Sequence, residues 1–223
     1  MRRFFLIALI LTFCAVRTGA ETPSLPVVEE VEWGPFRDHC LHLLQTLDKA
    51  ESPLPAERVQ HLRRLLERNS EDQGATSAEV QKLLDGSCLI AVSINAESRV
   101  KAARGPAEVR LLLNRPTLVL VKVHNEGGVT HALRLYGQEL VRDGERDAGC
   151  WLEAVLVTES PSAPELTGRR LEYRVLRLTP RQSGKREATF QFDVGQGTQD
   201  LGFRAEVPIL FSIHRSDASP KRR

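Results

Sequence analysis

Residues 192–214 read FDVGQGTQDLGFRAEVPILFSIH, with Gly195, Gly197 and Gly202 set between two apolar runs. Either these glycines cradle a phosphate in an α/β protein or they turn a β-hairpin, and the choice decides the fold. A P-loop carries a Lys and a Ser/Thr behind its last glycine at the head of a helix, so that backbone N–H groups and the helix dipole converge on one anion. Here Gly202 is followed by Phe203 and Arg204. A dinucleotide fingerprint spaces its glycines G-x-G-x-x-G, and Gly202 comes two residues late for it. Both flanks alternate with period 2: Ala188, Phe190, Phe192 and Val194 on one side, Val207, Ile209, Phe211 and Ile213 on the other. That is strand periodicity, so the stretch reads as a hairpin connection, at least one of whose glycines is expected at positive φ. Pro208 lacks a donor, so the last strand either starts there or lies on an edge at that point.

The same period runs back to Leu89. Ile90, Val92 and Ile94 alternate with smaller or polar residues, as do Val109, Leu111 and Leu113, then Val119, Val121 and Val123, then Leu133 and Leu135. The stretch CWLEAVLVT at 150–158 is apolar on both faces and reads as a central strand. In RRLEYRVLRLTP the apolar phase runs Leu171, Tyr173, Val175 and then slips to Leu176 and Leu178, which reads as a β-bulge. NEGG at 125–128 is turn chemistry.

Upstream the period is helical. Phe36, Cys40, Leu43, Leu44 and Leu47 form one stripe behind Trp33-Gly34-Pro35, and ESPLPAE at 51–57 breaks it. Val59, Leu62, Leu65 and Leu66 form a second stripe that ends at Asn69. A third, short helix opens at TSAE, with Thr76 as cap and Glu79 reaching back, and closes at Gly86. The expected fold is mainly β: an antiparallel, Ig-like β-sandwich of about eight or nine strands preceded by about three helices.

The first twenty residues have the layout of a secretory signal peptide: Arg2 and Arg3, an apolar run from Phe4 to Val16, and the small-residue site Thr18-Gly19-Ala20. The run is too short to span a bilayer, which takes about 20 residues. A lipoprotein anchor at Cys14 would want a small residue where Phe13 stands. The expected organisation is a signal peptide at 1–20, a linker at 21–32, a helical segment at 33–86, the sandwich at 87–215 and a basic tail at 216–223. Cleavage removes Arg2, Arg3 and Arg17, leaving 28 Lys+Arg against 29 Asp+Glu. The balance of about −1 gives no basic face for nucleic acid. The mature chain is expected to be secreted or periplasmic, with no transmembrane segment after cleavage.

Three cysteines remain, Cys40, Cys88 and Cys150, with no C-x-x-C pair. If a disulfide forms, it joins Cys40 to Cys88 across the helical region and leaves Cys150 free. No metal or cofactor site is expected. His39 and His42 stand beside Asp38 and Cys40, but Cys40 belongs to the apolar stripe, and His61, His124, His131 and His214 are scattered. No G-x-S-x-G occurs, so no catalytic residues are assigned. Trp151 and Tyr173 are the rings to watch if the sheet stacks on sugars, although a Trp in a segment apolar on both faces belongs in a core.

The segments INAESRVKAARGPAEV (94–109), LVLVKVHNEGGVTHALRL (118–135) and GKREATFQFDVGQGTQDLGFRAEVPILFSI (184–213) resemble the β-sandwich region of uncharacterised secreted bacterial proteins. In some of those the region precedes a PHP-type metal-dependent hydrolase domain. No His/Asp metal set follows the sandwich here, so the resemblance implies an accessory module without the catalytic half. The functional expectation is a non-enzymatic envelope protein that binds another envelope protein or a polysaccharide. Its rivals are a carbohydrate-binding module and a hydrolase of unrecognised type.

Overall fold

The computed structural model describes residues 24–48, 54–141, 149–157, 165–195 and 204–215. The expected signal peptide with Cys14, the basic tail, and Gly197 and Gly202 of the hairpin loop lie outside the described residues. Within them the chain is mainly β. Three helices come first: α1 (Trp33–Asp48), α2 (Ala56–Glu67) and α3 (Gln73–Asp85). Ten strands follow: β1 (Cys88–Ile94), β2 (Val100–Arg104), β3 (Arg110–Leu112), β4 (Thr117–Asn125), β5 (Arg134–Tyr136), β6 (Leu140–Val141), β7 (Leu152–Leu156), β8 (Leu171–Pro180), β9 (Gly184–Asp193) and β10 (Arg204–His214).

The strands form two sheets. One has the order β2-β1-β4-β8-β7-β6 and the other β3-β10-β9-β5. Their facing sides share a core that includes Val92, Val121, Leu176, Phe190, Phe192, Phe211 and Ile213. Neither sheet is purely antiparallel, contrary to the expectation: β1 pairs with β4 in parallel, β10 with β3, and β6 with β7. Parallel neighbours need long connections, and between β1 and β4, as between β3 and β10, the chain visits the other sheet before returning, a topology that strand periodicity alone does not report.

The helices cover the outer side of the six-stranded sheet. All five residues of the first stripe, Phe36, Cys40, Leu43, Leu44 and Leu47, are buried there with Leu120, Leu171, Tyr173 and Val175 of the sheet. The middle of the sheet, at β4 and β8, is thus enclosed on both faces, and this removes the expected bulge in β8. The β4–β8 register runs without interruption from His124↔Leu171 to Thr117↔Leu178. Leu171, Tyr173 and Val175 face the helices while Leu176 and Leu178 face the sandwich, so a change of covered face had the look of a change of phase. The irregularity lies instead in β1, between Cys88 and Ile90.

Three local expectations also shift. α3 starts a turn earlier than TSAE, capped by Asp72, whose carboxylate accepts from Ala75 N at 2.8 Å. Thr76 lies inside the helix, its hydroxyl donating to Asp72 O. β7 is the penultimate strand and only half-buried beyond Leu152, not central. The hairpin reading of the glycine stretch agrees with the register Arg204↔Asp193 through Ile213↔Gly184. Gly195 sits at φ +73° and its N–H donates to Asp193 Oδ1 at 2.9 Å. Pro208 lies inside β10, which starts at Arg204. Partner β3 reaches only Ser212–His214, so the missing donor falls on an open stretch of strand.

Candidate functional site

Where the helices meet the sheet, a strand pattern reads Thr-Leu-Val-Leu-Val-Lys-Val from 117 to 123. With Val119, Val121 and Val123 turned to the sandwich core, strand alternation turns Leu120 and Lys122 to the helices. Lys122 is therefore buried, with 3% of its surface exposed. Its Nζ donates to Asp85 Oδ2 at 2.9 Å and to the carbonyl of Pro26 at 2.8 Å. The hydroxyl of Tyr173 donates to Asp85 Oδ1 at 2.8 Å. Burial raises the Asp85 pKa, opposed by the bonds from Lys122 and Tyr173, and burial holds the Tyr173 phenol well above its ordinary value. One knot thus joins α3, β4, β8 and the segment before α1.

That N-terminal segment lies extended over the same region. Val28, 7% exposed, donates its N–H to Gln81 Oε1 at 2.8 Å and accepts from Gln81 Nε2 at 2.9 Å. A buried glutamine amide here pairs with a main chain as a neighbouring strand would. Further on, Arg170 Nε donates to Glu29 O at 3.1 Å, and Arg169 Nη1 donates to Pro35 O at 3.1 Å.

Beside this segment opens a groove of about 450 Å³. Glu30, Glu32, Asn125 and Glu126 line it together with Arg169 and Arg170, and Arg170 Nη2 pairs with Glu30 Oε2 at 3.6 Å. Pro35, Phe36 and Leu171 supply apolar lining. Gly128 (φ +60°) and Gly168 (φ +78°) form turns that a residue with a Cβ would strain. Below it Glu172, fully buried, accepts from Thr167 N and Oγ1 and from Arg174 Nη2, each at 2.8 Å.

The histidines and cysteines fall out as follows. His39 Nε2 accepts from the N–H of Tyr173 at 2.8 Å, tying α1 to β8. Burial, with the Arg174 and Arg169 charges nearby, lowers its pKa to about 4, so it is neutral at physiological pH. His42 is exposed on the same helix. Among the described residues no group of three or more His, Cys, Asp or Glu could hold a metal ion. Cys40 and Cys88, the expected pair, are buried free thiols of the helix–sheet core, and Cys150 is a half-buried one. Burial raises the pKa of Cys40 and Cys88, which keeps both protonated and unreactive. Trp151 and Tyr173, the rings considered for sugar stacking, are both buried, and Trp151 packs edge-on against Phe211 at 6.0 Å.

Sequence reasoning missed Asp85, Lys122, Gln81 and Val28. The available signal was the run Leu118–Val123, apolar at both even and odd positions. A strand enclosed on both faces buries its lysine too, and a buried lysine needs a partner.

No family model matches the chain, and no curated protein matches it. Among solved structures it is similar to the ASH/PapD-like domain of human CEP192 (PapD-like domain 7), at 10% identity over 50% of this chain and 84% of that one, with a TM-score of 0.31. Likeness at that level carries no activity to this chain. No helix among the described residues is long and apolar enough to cross a membrane.

Proposed function

We propose that this is an exported, non-catalytic binding protein of the cell envelope: an Ig-like accessory module that grips an extended stretch of another envelope protein. The groove beside the N-terminal segment carries the reading, since it gathers carboxylates and guanidinium groups, with Glu30 and Arg170 already paired, beside the apolar Pro35, Phe36 and Leu171. Ligand sites combine an apolar body with a few placed polar groups in volumes of about 300–1,000 Å³. An extended polypeptide offers what this groove would take, backbone amides for the charged walls and apolar side chains for the lining. The half-length resemblance to secreted sandwich regions that precede hydrolase domains fits an accessory role.

The test is a photo-crosslinking residue placed at Thr167 or Glu126 on the groove, and at Lys185 on the far sheet, in the exported protein. One envelope protein should be captured from the groove positions and not from Lys185, and Arg169→Ala with Arg170→Ala should abolish the capture. Capture of equal strength from all three positions, or binding to a polysaccharide that these variants leave intact, would sink the proposal. Export is checked by N-terminal sequencing, which should begin at Glu21; recovery of Met1 would reject it.

A further inference from the structure

The segment Ser24–Glu29 is held through its main chain, and the residues that hold it are built into the body of the protein. Lys122 reads the carbonyl of Pro26, Gln81 reads both backbone groups of Val28, and Arg170 reads the carbonyl of Glu29. Gln81 is fully buried, and Val28 packs into the helix–sheet core with Leu25 and Val31 against it. Nothing in this socket depends on which copy of the chain supplies the segment. The connection from the segment to α1 is short, and it contains Glu30 at φ +55°, a left-handed conformation for a residue with a Cβ. Short connections under strain favour exchange of the element they tether, because the strain is released when the segment reaches into a neighbour.

We propose that two copies of this chain exchange residues 24–29, each seating its Pro26–Glu29 stretch on Lys122, Gln81 and Arg170 of the other. The contact is reciprocal, as a two-fold dimer requires, and every main-chain bond of the monomer is kept. The exchange does not depend on the reading of the groove as a partner site.

Sedimentation of the full chain from micromolar to submillimolar concentration measures the exchange. Wild type should form a dimer that grows with concentration. Glu30→Gly, which relaxes the hinge in the monomer, should weaken that dimer roughly tenfold. Glu30→Pro cannot adopt the hinge conformation and should be dimeric where wild type is monomeric. A complementation arm does not rely on the hinge. Val28→Asp spoils the segment and Gln81→Leu spoils the socket, so each alone should melt below wild type. Refolded together they should yield a heterodimer with one intact seat and a higher melting temperature than either. Glu30→Pro that stays monomeric, or a refolded mixture that melts as the sum of its parts, would overturn the proposal. So would a labelled peptide of residues 24–32 that binds Val28→Asp with no dimer formed by any variant, since the socket would then serve a foreign peptide.

Discussion

At the scale of single residues, the Lys122–Asp85 pair is a charge pair out of reach of water, and its two halves are not equivalent to the whole. Removing one partner strands the other. Lys122→Met should cost about 3–5 kcal/mol in urea unfolding, and so should Asp85→Leu. The double variant should recover much of the loss, because an apolar pair of similar volume carries no desolvation penalty. Additive losses would show that the two charges do not act as a pair. Tyr173→Phe should cost less, about 1–2 kcal/mol, for one bond to a charged group.

His39 sets a pH dependence of definite sign. Its pKa of about 4 in the folded chain is below the ordinary 6.5, so between these values the unfolded state binds more protons. The contribution is complete above pH 6.5 and is lost as pH falls toward 4. It amounts to about 2 kcal/mol once the partial exposure of the ring is allowed for. Asp85, whose pKa is raised by burial, works in the opposite sense. The isolating measurement is therefore a comparison of wild type with His39→Gln across that range. A loss of the same size in both would clear His39 of the effect.

At the scale of elements, the β9–β10 hairpin ties conformation to packing. Gly195 at φ +73° with its bond to Asp193 starts the turn, and Phe190, Phe192, Phe211 and Ile213 are buried behind it. Gly195→Ala should lower stability by about 1 kcal/mol and Phe211→Ala by about 3–5 kcal/mol, read as shifts in the urea midpoint. A neutral Gly195→Ala would mean that the turn does not need its left-handed residue.

The same scale explains what could be read ahead of the structure. The α1 stripe was legible because that helix buries a single face, and the hairpin because its strands alternate cleanly. β4 and β8 bury both faces, so Lys122 stood only as a polar residue within the alternation of Val119, Val121 and Val123, and the run from Leu171 to Leu178 read as a bulge. At α3 the S/T-x-x-E pattern of TSAE pointed to a start inside the helix, while Asp72, the residue that caps it, sits in a polar stretch with several eligible caps. The N-terminal segment carried no periodicity at all, since its hold on the body is through backbone groups.

For the whole molecule, the layers are joined by contacts far apart in sequence, and the cysteines provide a probe of that joining. Cys40 on α1 and Cys88 at the head of β1 are both buried in the core that joins helices to sheet. In the folded protein a thiol reagent should label Cys150 first and the other two only on unfolding. If an oxidising compartment pairs Cys40 with Cys88, unfolded and unreduced protein from that compartment should label at Cys150 alone. Labelling at all three would show that the pair stays reduced. The margins of the sheets are short, which makes them poor templates for edge-to-edge association: β2 has five residues, β3 and β5 three each and β6 two, and the open stretch of β10 carries Pro208.

Enclosure of β4 and β8 on both faces also governs time. Water reaches a backbone amide of β4 or β8 only if the helical layer lifts or the sandwich opens, whereas the outward face of the four-stranded sheet, with Leu210 56% exposed, is wet from the start. Placed in heavy water, the protein would take up deuterium from its turns inward. Val119–Val123 and Leu171–Leu178 would keep their light hydrogens until the molecule as a whole came apart.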